Sequence, residues 1–170
     1  MRATNRLPCY LQRMTKSKDR PSFSTNAESK SGKKLPYRSR GNLLSDGERR
    51  FYRTGLQPAV GQRYDISLKV RLTDVITLPA KLWDTPAGYK IRQRHLDFVL
   101  CSKRAIKIIA AIELDDSSHL SHQQQAKDDF LADALHAAGV PLIRFPIYRR
   151  YDPTRIRRII RSAISRGLAA

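Results

Sequence analysis

The chain has 170 residues, 41% of them hydrophobic, which allows one domain with a modest core and a tail. A formal net charge of +18 points to polyanionic partners such as DNA or RNA, or an anionic membrane surface. Two cysteines outside any CxxC pattern exclude a disulfide scaffold and a zinc ribbon, and no apolar run approaches the ~20 residues of a membrane span.

The charge is unevenly placed. Residues 1–40 hold 11 Lys or Arg against 2 acids, residues 41–148 hold 15 against 12, and residues 149–170 hold 7 against 1. Residues 1–41 lack a sustained apolar period and read as a disordered basic arm, although their first part has the composition of a mitochondrial transit peptide. Lys33, Lys34, Arg38 and Arg40 are its candidate phosphate contacts. The folded domain is expected over 42–170.

Ser45-Asp46-Gly47-Glu48 has capping-box form and predicts a short helix to about Thr54, ended by Gly55, with a loop to Tyr64. Ile66, Leu68, Val70 and Leu72 alternate with Ser67, Lys69 and Arg71, the period of a half-buried strand. Leu78 to Gly88 reads as a loop. Ile91–Cys101 and Ala105–Leu114 read as the next two strands, the latter apolar on both faces and therefore central. A second capping box, Ser121 to Gln124, opens a helix that carries Phe130, Leu131, Ala134 and Leu135 and stops at Gly139. Val140–Ile147 reads as a fourth strand. Asp152-Pro153 starts a basic C-terminal helix over 153–168, with Ile156, Ile159, Ile160, Ala163 and Ile164 as its apolar stripe. Arg157, Arg158 and Arg161 lie largely off that stripe, as phosphate contacts or as a solvated face.

Face parity places Asp97 on one side of the second strand, and Glu113 and Asp115 on one side of the third. A three-residue turn at Lys103–Ala105 would set Asp97 opposite Ala111 and diagonal to Glu113, about 7 Å away. Carboxylates so close repel one another and need an offsetting charge. Mg²⁺ (or Mn²⁺), which takes carboxylate oxygens and polarises phosphate, is the natural candidate. The plainer alternative is that Glu113 and Asp115 end a strand at solvent and pair with Arg92 or Arg94.

The strings His95-Leu96-Asp97-Phe98-Val99-Leu100, Ile112-Glu113-Leu114-Asp115-Asp116-Ser117-Ser118-His119 and Gly139-Val140-Pro141-Leu142-Ile143-Arg144 together resemble the bacterial domain of unknown function 2726. That family is placed in the PD-(D/E)XK nuclease-like superfamily, beside the very-short-patch repair endonucleases. The resemblance, over about 42–148, implies an α/β restriction-endonuclease-like core of helix, three strands, helix and strand, here with an added C-terminal helix. It implies a bacterial cytoplasmic protein, Asp97 and Glu113 as metal ligands, and Glu48 as a first-helix addition to them. Asp115 stands where the superfamily has its catalytic lysine, so it is either a further ligand or the mark of a dead site. Lys127 is a possible substitute or a snorkelling helix residue. His119 is a candidate metal ligand or general acid–base, His122 an ordinary first-turn residue, and His95 a neighbour that orients Asp97 or merely packs.

The expectation is Mg²⁺-dependent hydrolysis of DNA phosphodiesters, with nucleic acid as partner and no membrane. The alternatives are an inactive nucleic-acid-binding module of the same fold and a basic RNA-associated protein.

Overall fold

The computed structural model describes residues 35–115 and 122–167, and for 122–129 the backbone only. The capping box at Ser121, the side chain of Lys127, and His119, Lys33 and Lys34 lie outside the described residues. The chain divides into two units, Met1–Arg40 and Gly41–Ala170, and every element below belongs to the second. It is a mixed α/β domain with a four-stranded sheet.

The Ser45 capping box forms as the sequence predicts. The Glu48 N–H donates to Ser45 Oγ at 3.4 Å and the Ser45 N–H to Glu48 Oε2 at 2.9 Å, opening α1, Asp46–Arg50. Gly55 does not end this helix. The chain continues as a π-helical stretch, Phe51–Leu56, and then α2, Gln57–Val60. The wider turn gives the ring of Pro58, which lacks an N–H, room beside the carbonyls behind it. Gly55 instead permits close approach: a Cβ there would lie 2.8 Å from Ile156 Cδ1 and 3.0 Å from Tyr151 Cβ.

Strand β1, Tyr64–Arg71, follows. A short 3-10 turn, Leu72–Asp74, follows β1, and the expected loop and early strand start at 78–94 are replaced by a second one, Ala80–Leu82, and a helix, α3, Pro86–Arg92. Pro86 suits a first helical turn, where no N–H is needed, and only Gly88 and Ile91 of α3 are buried, too few to show a helical period. Strand β2 is therefore His95–Ser102. Strand β3 is Ile108–Asp115, starting later than expected. Ile106, 62% exposed and at φ +51°, belongs to the hairpin loop, and Ile108 is also exposed. Helix α4, His122–Ala137, ends before Gly139, whose φ of +68° suits glycine. It crosses over to β4, Leu142–Pro146, which is shorter than the predicted strand. Asp152 Oδ1 accepts from the Thr154 N–H at 2.8 Å, and α5 runs Pro153–Gly167. Ile156 and Ile160 are buried, but Ile159 is exposed, so the stripe is narrower than its sequence suggests.

The sheet order is β1-β2-β3-β4. The first two pairings are antiparallel; β3 and β4 are parallel, as a helical crossover requires. One face packs Phe98, Leu100, Ala110, Ile112, Ile143 and Phe145 against the first helical segment and α5. Phe51, fully buried, anchors that layer with ring contacts to Phe98, Phe145 and Tyr151 at 5.0–5.6 Å. The other core joins Val99, Cys101 and Ala111 to Leu72, Ile76 and Ile91, and to Leu131 and Leu135 of α4. Two apolar layers thus hold the sheet, leaving polar side chains to collect at strand ends.

Candidate functional site

Such a collection stands where the middle of β1 meets the start of β2 and the end of β3. The β2–β3 register runs Phe98↔Ile112 and Val99↔Ala111, two residues from the three-residue-turn register. The hairpin loop is longer than Lys103–Ala105, with the Ser102 N–H donating to Lys107 O at 2.8 Å and the ladder irregular between Leu100 and Cys101. A slip of two preserves face parity. It brings Asp97 directly opposite Glu113 rather than diagonal to it.

The two carboxylates interlock through the backbone. The Asp97 N–H donates to Glu113 Oε1 at 3.0 Å, and the Leu114 N–H donates to Asp97 Oδ2 at 3.0 Å. Across the β1–β2 ladder, Leu68↔Phe98 and Val70↔Leu96 flank Lys69, so Lys69 faces Asp97. Its Nζ lies 2.6 Å from Asp97 Oδ1 and 2.6 Å from Glu48 Oε1. Glu48 therefore joins the cluster while its other oxygen holds the capping box. Lys69 has φ +52°, a left-handed conformation costly for a residue with a long side chain.

These contacts set the charge states. Burial, and then the neighbouring Asp97 charge, push the Glu113 carboxyl up to about 8, so it keeps its proton at neutral pH. Burial works against the charge of Lys69, but hydrogen bonds and attraction from Asp97 and Glu48 prevail and raise its pKa. Burial alone would raise Glu48; the Lys69 ammonium and the Ser45 donors hold it below the ordinary carboxylate range. The offset that crowded carboxylates require is thus supplied by an internal ammonium and a retained proton.

Carboxylate oxygen is the right donor for Mg²⁺ or Mn²⁺. As arranged, however, Lys69 holds the point between Glu48 and Asp97, and among the described residues no three acids, histidines or cysteines are grouped to hold a metal. An ion shared by Glu48 and Asp97 requires Lys69 to swing out.

Asp115 is half-buried at the end of β3, where its carbonyl accepts from the Ile147 N–H at 3.2 Å, and its charge adds to the upward push on Glu113. Arg92 pairs with Asp84 at 3.2 Å and Arg94 lies over the Phe130 ring, so neither is the partner of Glu113. His95 is exposed, opposite Arg71. Arg38, Arg40 and Arg158 are exposed. Arg157 is tied to the Ala59 and Pro58 carbonyls at 2.7 and 3.3 Å, a structural bond at the end of α2. Lys69 escaped the sequence reading because a lysine alternating with Ser67 and Arg71 has the pattern of a solvated face. Only the β1–β2 register reveals it, and the intervening connection contains no tight turn to announce that register.

A family model described as a protein of unknown function (DUF2726) matches residues 40–164, three quarters of the chain. The chain belongs to this family. The match contains Glu48, Lys69, Asp97 and Glu113, so the whole cluster lies within the DUF2726 region. No curated protein and no solved structure matches the chain.

Proposed function

We propose that this DUF2726 chain is a metal-dependent phosphodiesterase acting on DNA, built on a restriction-endonuclease-like fold of the PD-(D/E)XK superfamily. The observation that carries the reading is the meeting of Asp97 and Glu113 with one lysine, Lys69, on adjacent strands. The order of elements, a helical segment, β1, the short inserted α3, β2, β3, α4 and β4, supports it. So does the basic balance of the chain.

In this reading Asp97 and Glu113 hold Mg²⁺ or Mn²⁺, with Glu48 and Asp115 as further carboxylates. The bound ion supplies Lewis-acid activation of phosphate and water. Lys69, released from Asp97 and Glu48, steadies negative charge on the phosphate, the task that Asp115 cannot perform. His119 and Lys127 remain candidate proton handlers. Lys33, Lys34, Arg38 and Arg40, and on α5 Arg157, Arg158 and Arg161, contribute phosphate contacts.

Purified protein with Mg²⁺ or Mn²⁺ is expected to nick plasmid DNA, and Asp97→Ala to abolish nicking while retaining DNA binding. Equal nicking by both proteins rejects the assignment. The Lys69 bridge itself favours a second reading, a nucleic-acid-binding module of the same fold without turnover, because it satisfies the acids without an ion. Calorimetry separates the two: divalent binding accompanied by proton release supports the enzyme, and its absence with tight DNA binding supports the module.

A further inference from the structure

A second grouping of one ionisable kind lies at the start of β1. Arg63, Arg157 and Arg161 line a cleft of about 280 Å³ with Pro58, Ala59 and Tyr64. Among the described residues, none that lines it is acidic. Arg157 is held there by the last carbonyls of α2, with its Nε and one terminal nitrogen engaged, which fixes the guanidinium and covers the negative end of the helix. Arg161 lies one turn further along α5. Arg63 stacks its guanidinium 5.9 Å over the Tyr64 ring, which orients it without neutralising it. Arg63 and Arg157 are thus positioned by the wall of a concave site that Arg161 also lines, and none of the three has a carboxylate partner among the described residues.

Guanidinium forks match phosphate oxygens in shape and charge. Three guanidinium groups around one cleft suit a phosphate by charge, where a neutral base would gain little from them. Its distance from the acid cluster follows from two elements. Tyr64 and Lys69 are five residues apart on β1, about 17 Å at strand rise. Glu48 and Val60 are twelve residues apart along the first helical segment, about 18 Å.

We propose that this cleft seats one backbone phosphate of bound DNA, about 17 Å from the acid cluster. The inference rests on DNA being the partner, and on no step of its hydrolysis. The test is fluorescence anisotropy of a labelled mixed-sequence duplex in EDTA, titrated with salt. Wild-type protein is compared with Arg63→Gln/Arg161→Gln and, for hydrolysis, with Asp97→Asn. Both arginines are exposed, so the fold is expected to survive, and thermal melting verifies it. The double variant should lower the slope of log affinity against log salt by about 1.8, at about 0.9 for each lost contact. An unchanged slope in the double variant overturns the cleft assignment, as does failure of the wild type to bind. Displacement of the duplex by inorganic phosphate at equal phosphate concentration also overturns it, because the cleft would then hold a free anion. In a parallel assay with Mg²⁺ in place of EDTA, failure of the wild type to cleave, with the slope difference intact, removes the enzyme reading and leaves the cleft standing.

Discussion

The arginine cleft lies at the start of β1 and the acid cluster beyond its middle, and each gathers three side chains of one ionisable kind. They differ in how the charge is met. Glu48, Asp97 and Glu113 are balanced from inside, by the Lys69 ammonium and by the proton that Glu113 keeps. Arg63 meets an aromatic ring and Arg157 two carbonyls, which orient guanidinium groups without cancelling them, and Arg161 lines the same cleft. Crowded charge is therefore not by itself a sign of a missing ligand. The informative feature is whether a counter-charge is already built into the fold.

The largest expected effect tests the retained proton. Glu113 binds its proton up to about pH 8 in the folded chain, against an ordinary value of 4.5. Between those limits the folded state holds a proton that the unfolded state has released, so stability falls as pH rises, by up to about 1.4 kcal/mol per pH unit. Urea unfolding from pH 5 to pH 8 should show this decline, and Glu113→Gln should flatten it. An equal slope in both proteins would break the inside-balanced picture of the cluster.

Next is the ammonium. Replacing Lys69 by Met leaves Asp97 and Glu48 facing each other, half-buried, without their shared donor. A loss of about 2 kcal/mol at neutral pH is expected, less than the 3–5 kcal/mol typical of fully buried pairs. Divalent binding, measured by calorimetry, should strengthen in the same variant, because the competing cation is gone. Weaker binding would mean that Lys69 aids the ion rather than displaces it.

The smallest effect lies inside the cleft. Arg157→Ala removes the two bonds to the Ala59 and Pro58 carbonyls and should cost about 1 kcal/mol, whereas Arg161→Ala should change stability by less than about 0.5 kcal/mol. Chemical denaturation of the two variants compares them. Equal losses would show that Arg161 too is structural, and would weaken its availability for phosphate.

How far the sequence carries this site depends on which residues are asked about. Asp97 and Glu113 were legible because strand parity is robust: the hairpin is longer than a three-residue turn, yet a slip of two keeps both acids on one face. Glu48 was legible as a cap, and the cap is what brings it to Lys69. The hairpin length itself was hidden because Ile106 adopts a left-handed turn conformation that β-branched residues rarely take. The run of isoleucines there imitates a strand. Helix α3 was hidden by its small buried face, and Gly55 imitated a stop while serving as a point of contact with Ile156 and Tyr151. Lys69 and Arg63 share one reason for escaping notice. Their neighbours are assembled by tertiary register, which short-range patterns do not encode.

The left-handed backbone of Lys69 has a last consequence. Its ammonium is aimed by the main chain, and the Asp97 it meets is itself fastened by the Leu114 N–H. The pair consequently has a direction. Exchanging the two residues would restore the sum of charges but not the bond, because a lysine at 97 accepts nothing from Leu114, and an aspartate at 69 is too short to reach both partners. The site behaves as a lock with one orientation rather than as a neutral sum.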